Sequence, residues 1–143
     1  MNEQELKERT KRFALRVMKL VDSLPKAVSG KAIADQLVRA GTSVGANYRA
    51  ACRGRSRAEF ASKLGIVSEE ADECCFWLEL IMDGELLPRA QVEPLSQEAN
   101  ELTAILAASM RTVRSRIQNL KWTPAVSMRT LRFELVPNPK SKI

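Results

Sequence analysis

Apolar residues recur along the first 120 positions at intervals of three and four, the period of an amphipathic α-helix. Leu6, Phe13, Val17, Leu20 and Leu24 share one face of a segment from about Gln4 to Ser23, which Pro25 ends. A second segment spans about Lys31 to Arg53, with Ile33, Leu37, Ala40, Val44, Tyr48 and Ala51 on one stripe. Beside it runs a stripe of small side chains, Ala34, Val38, Gly41, Gly45 and Cys52. Each mid-helix glycine costs about 0.5–1 kcal/mol relative to alanine. Gly41 and Gly45 therefore predict close packing of another helix, which offsets that cost. Asn47 and Tyr48, also in mid-helix, are expected to fix register through buried hydrogen bonds. Gly54 ends this segment, as a glycine just past the last turn often does.

The third segment opens with Ser56-Arg57-Ala58-Glu59, a capping-box pattern in which both side chains satisfy free backbone N–H groups. Phe60, Leu64, Val67, Ala71, Cys74 or Cys75, Leu78 and Ile81 line its core face, and Gly84 supplies the stop. The fourth runs from about Arg89 to Leu120, with Leu95, Ala99, Leu102, Leu106, Ser109, Val113, Ile117 and Leu120 inward. Pro94, in its first two turns, marks either a kink or the true start. Short connections make neighbouring helices antiparallel, so the fold class expected is all-α: an up-down-up-down four-helix bundle over residues 1–120. Phe76, Trp77 and Leu80 lie off the main stripe of the third segment. Together with the small stripe of the second, they give the inner helices a second apolar face. That predicts burial against another subunit, hence a homo-oligomer. The strand-like alternation Leu131-Arg132-Phe133-Glu134-Leu135-Val136 stands alone in residues 121–143, a basic, proline-bearing tail that is ordered only if it docks.

Composition narrows the chemistry. A chain of 143 residues, 45% of them apolar, fits one domain with a real core. No apolar run nears the roughly 18 residues of a membrane span. The charged start, Met1-Asn2-Glu3-Gln4-Glu5, does not read as a secretory leader, so a cytoplasmic location is expected. Cys52, Cys74 and Cys75 have neither disulfide nor zinc spacing and read as reduced thiols. Cys74 and Cys75 are adjacent, about 100° apart on a helix, so core packing suits them better than chelation or reactivity. Histidine is absent, which removes Ser-His-Asp and Cys-His systems and every His-containing metal site. No enzyme activity, cofactor or metal is expected.

The charges are segregated. Residues 39–63 hold six basic groups against Glu59 alone, and residues 69–85 hold seven acidic groups and no basic one. Arg49, Arg53, Arg55 and Arg57 crowd the turn between the second and third segments, with Lys63 just beyond. Arginine forks match phosphate oxygens, so this cluster suits nucleic acid or another polyanion. The plainer use is a solvated turn with ion pairs to the acidic third helix of a neighbour. Arg111, Arg114 and Arg116 form a second cluster, for which complementing the dipole of the fourth helix is a sufficient account. Neither cluster is interleaved with aromatics, as a single-strand stacking platform requires. Glu70 with Glu73, and Glu98 with Glu101, have the i, i+3 spacing found in di-metal carboxylate bundles, whose Glu-x-x-His motifs this chain lacks. Bonds to Arg39, Arg49 or Asn47 are the better use for them.

Specific stretches bear a family resemblance. Leu24-Pro25, Gly30, the run from Ile33 to Arg49 that includes Arg39-Ala40-Gly41-Thr42-Ser43-Val44-Gly45-Ala46-Asn47, Ser56-Arg57-Ala58-Glu59-Phe60, Glu69-Glu70-Ala71-Asp72-Glu73, Trp77-Leu78-Glu79 and Glu98-Ala99-Asn100-Glu101-Leu102 resemble the bacterial 23S rRNA intervening-sequence proteins. The resemblance covers about residues 10–117. It implies a four-helix bundle assembling as a ring, a homopentamer, with no catalytic residues to carry over. A related group resembles the accessory protein of diversity-generating retroelements, a basic pentamer that binds nucleic acid and a reverse transcriptase. The expected function is thus a non-enzymatic oligomeric accessory protein that associates with RNA or DNA. The alternative is a structural module whose basic and acidic faces pair between subunits.

Overall fold

The structure, a computed structural model, describes residues 1–119. Leu120 and the tail 121–143 lie outside the described residues, as do the expectations attached to them. The described residues form four α-helices and no strand: α1 (Glu3–Val21), α2 (Val28–Cys52), α3 (Arg57–Asp83) and α4 (Arg89–Asn119). Each helix packs on its neighbour in sequence, and α1 also meets α4, the thinnest of the four seams. The pairwise packing is that of a four-helix bundle. Its core is the set of stripes read from periodicity, with Leu6, Phe13, Leu37, Tyr48, Leu64, Leu78, Ile81, Leu102 and Leu106 all but fully buried. Cys74 and Cys75 are both buried. Ile117, expected inward, is 41% exposed.

Local chemistry sets the helix ends. Asn2 caps α1: its side chain accepts from the Glu5 N–H at 2.8 Å, and Glu5 Oε2 accepts from the Asn2 N–H at 2.9 Å. At α3, Ser56 Oγ accepts from the Glu59 N–H at 3.0 Å, but the Glu59 carboxylate takes the Arg55 N–H, at 2.8 Å, rather than that of Ser56. Helix α2 starts three residues before the expected Lys31. Gly30 lies inside its first turn, against the preceding loop, and a β-carbon there would come 1.9 Å from the Pro25 carbonyl oxygen. Helix α4 starts at Arg89 and runs through Pro94, so the proline does not mark its start.

Neither stop glycine uses left-handed backbone. Gly84 is right-handed, and the left-handed residue is the next one, Glu85, at φ 55°. The Leu86 N–H then returns to the Ile81 carbonyl at 3.0 Å, closing α3. Gly54 is buried for lack of room, since a β-carbon would lie 3.1 Å from the Ala51 oxygen and 3.3 Å from the Phe60 nitrogen.

Candidate nucleic-acid interface

The glycine stripe of α2 faces α1. A β-carbon on Gly41 would stand 2.8 and 2.9 Å from the two methyl carbons of Val17. On Gly45 it would lie 3.5 Å from Thr10, an ordinary contact. The close approach opens outward into a cleft of about 600 Å³ floored by Ala14, Thr42, Gly45 and Ala46. Its rim is cationic: Lys7 and Lys11 from α1, Arg49 and Arg53 from the last turns of α2. Glu8 is its one acid, and Gln4 Nε2 donates to Glu8 Oε1 at 3.1 Å. Lys7 Nζ is held by Glu3 at 2.6 Å. Lys11, Arg49 and Arg53 form no ion pair among the described residues. Lys7 and Lys11 are missed by a reading along the chain. Their signal is the spacing of four on the flank of α1, which identifies a face only once the glycines have said what packs there.

The other cations of the turn stand outside this cleft. Arg55 is exposed, Arg57 opens α3 half-buried, and Lys63 pairs with Glu59 at 3.3 Å one helical turn away. Two bonds, from the Arg55 N–H first and from Lys63 second, hold the Glu59 carboxyl below the usual carboxylate range. Arg111 and Arg114 are exposed on the last turns of α4, where Arg116 is half-buried.

The paired glutamates are engaged by arginine. Arg39 Nη1 donates to Glu70 at 3.2 Å and its Nη2 to Glu73, which also accepts from Trp77 Nε1 at 3.0 Å. The Arg39 bond, then the Trp77 bond, hold the Glu73 carboxyl below its ordinary value. Glu98 and Glu101 go to a residue not expected from sequence, Arg9. Its Nε and Nη2 grip Glu98 at 2.7 and 2.9 Å, and Nη2 also reaches Glu101. Arg9 flanks the buried Leu6–Phe13 stripe, a position that sequence marks only as polar. The described residues hold no group of three or more His, Cys, Asp or Glu side chains placed to bind a metal. Burial pushes the Cys74 thiol up to about 12, far from a reactive thiolate. Asn47 is half-buried with no side-chain hydrogen bond among the described residues, whereas Tyr48 is buried and partnered. No helix of the described residues is long and apolar enough to cross a membrane.

Fold and site together define a small four-helix protein whose distinctive surface is a cationic cleft between its first two helices. The chain belongs to the 23S rRNA-intervening sequence protein family, which it matches over residues 2–108. It is similar to the crystal structure of a protein of unknown function from the S23 ribosomal protein family of Bacteroides thetaiotaomicron VPI-5482. That likeness has 34% identity and a TM-score of 0.69, covering 73% of this chain and 97% of the other. No curated protein matches.

Proposed function

We propose that this protein is a non-enzymatic, homo-oligomeric accessory protein that holds nucleic-acid phosphate at a basic end of its bundle. The observation that carries this reading is the α1–α2 cleft. The cations Arg9 and Arg39 are consumed by glutamates, while Lys11, Arg49 and Arg53 converge on one concave surface without a carboxylate partner among the described residues. Cations left unneutralised in a cleft concentrate field and attract polyanions. An up-down-up-down course for the helices supports a larger patch. Gly41 and Gly45 of α2 meet Val17 and Thr10 of α1, and Gly65 and Cys75 of α3 meet Met110 and Thr103 of α4, each pair in opposite order. In that course Arg55, Arg57, Lys63, Arg111, Arg114 and Arg116 stand at the same end as the cleft.

Assembly as a ring, a pentamer on the family resemblance, is supported by the exposed apolar side chains Leu15, Met18 and Ile66. Repetition of weak, salt-screened phosphate contacts around a ring adds avidity. The missing histidine, the engaged glutamates and the buried thiols support a role without catalysis.

The test is titration with structured RNA and with duplex DNA at rising salt. Replacing Lys11, Arg49 and Arg53 with glutamine should lower affinity at least tenfold at low salt. It should also reduce the log–log salt slope by about one for each phosphate no longer neutralised. Unchanged binding, or none at low salt by the wild type, would overturn the reading.

A second reading rests on Glu69, Asp72 and Glu79, exposed on α3 and without an ion pair among the described residues. Here the basic turn of one subunit pairs with α3 of the next. Making Arg53 and Arg57 glutamate separates the two. Loss of the oligomer favours pairing between subunits, and an intact oligomer with lost nucleic-acid binding favours the first reading.

A further inference from the structure

The outward stripe of α3 joins apolar and acidic groups. Ile66, Phe76 and Leu80 are 44%, 51% and 37% exposed. Glu69, Asp72, Glu79 and Asp83 are exposed on the same side, at spacings of three, seven and four. Phe76 is held in place: its ring meets that of Trp77 edge to face, with centroids 5.0 Å apart. Trp77 is in turn pinned to Glu73, and Glu73 to Arg39. Of the four acids only Asp83 has an ion pair among the described residues, with Arg89 at 3.3 Å. A rigid aromatic platform bordered by unneutralised carboxylates calls for an apolar and basic complement.

The rest of the chain supplies one. Residues 121–143 carry five basic side chains against Glu134 alone. Within them Leu131, Phe133 and Leu135 alternate with polar residues, so in extended backbone they share one side. The reach is sufficient. Cys75 Sγ lies 3.5 Å from Thr103 Oγ1, so Phe76 stands nearly level with Thr103. Asn119, the end of α4, is about 24 Å further along that helix. Residues 120–130 span up to about 36 Å when extended, enough to return to that level. The family match stops at residue 108, short of this segment.

We propose that Arg129–Val136 docks on the outward face of α3 of its own chain. Leu131, Phe133 and Leu135 cover Phe76 and Leu80, and Arg129 and Arg132 meet Asp72 and Glu79. The docked segment neutralises the acidic face and withdraws the tail's charge from the cationic end. This inference uses no residue of the α1–α2 cleft and stands apart from the nucleic-acid reading.

Limited trypsin digestion of the full-length protein tests it, read at the bond after Arg129. Phe76→Glu with Leu80→Glu should speed that cleavage at least tenfold. Phe133→Ser with Leu135→Ser, which alters no bundle helix, should do the same. All four changes together should go no faster than either pair, and the wild-type rate should not vary over a hundredfold range of concentration. Equal cleavage in wild type and the tail variant overturns the proposal. So does protection that fades on dilution, which assigns the face to another copy's tail. Loss of the oligomer in Phe76→Glu with Leu80→Glu, without faster cleavage after Arg129, also overturns it and makes the face a subunit interface.

Discussion

Gly41 and Gly45 look equivalent in the chain, yet their surroundings separate them. Val17 is β-branched and stiff about χ1, so its methyl groups cannot swing clear of a β-carbon 2.8 Å away. Gly41→Ala should lower stability by about 1–3 kcal/mol through overpacking. Gly45→Ala meets only ordinary contacts and should be neutral, or gain up to about 1 kcal/mol from helix propensity. Thermal unfolding of both variants checks this, and equal effects would refute it. Glu73 gives the residue-scale pH dependence. Its folded pKa lies below its unfolded one, so its stabilisation is complete above about pH 4.3 and disappears as pH falls through the folded value. The urea midpoint of the wild type should exceed that of Arg39→Met by a constant margin from pH 7 to about 4.5. Below that the margin should shrink; a constant margin down to pH 2.5 would exclude the linkage. Sequence predicts a close neighbour for both Gly41 and Gly45, because their cost in a helix is intrinsic, yet only at Gly41 is the neighbour too close for a β-carbon. Sequence does not reveal which glycine is critical, because that depends on where Val17 falls along α1.

Helices show the same division between local and distant causes. The four amphipathic stripes and the Ser56 cap were legible because period and capping act within a few residues. The ends of α2 and α3 were less so. Gly30 is set by a carbonyl from the preceding loop, and the left-handed position after α3 falls to Glu85 although Gly84 precedes it. A non-glycine residue in left-handed backbone costs about 1–2 kcal/mol. Glu85→Gly should therefore raise stability by up to about 1 kcal/mol, after the entropy that glycine adds to the unfolded chain. Calorimetry on the single variant checks it; a lower melting temperature would mean that the Glu85 side chain stabilises the turn. The cleft was half legible for a similar reason. Arg49 and Arg53 lie in a visible cluster, whereas Lys7 and Lys11 join them only through the α1–α2 crossing.

At the scale of the molecule, the seams differ in kind. Helices α2, α3 and α4 are joined by broad apolar faces, whereas α1 meets α4 narrowly, with Arg9 spanning to Glu98 and Glu101. Replacing Arg9 strands two carboxylates, one of them largely buried. Arg9→Met should cost about 1.5–3 kcal/mol. Amide exchange should quicken first in the flanks of α1 and α4 that face each other, and uniform quickening across all four helices would contradict this.

The thin seam has a further consequence, for the order in which the chain matures. Every broad seam joins helices adjacent in sequence, so each can form as soon as the second of the two has been synthesised. Only the narrow α1–α4 seam, clasped by Arg9, links the first helix to the last among the described residues. On a translating ribosome, α1, α2 and α3 can assemble while α4 is still in the exit tunnel, and until it emerges the flank of α1 that carries Arg9 stays open to other partners.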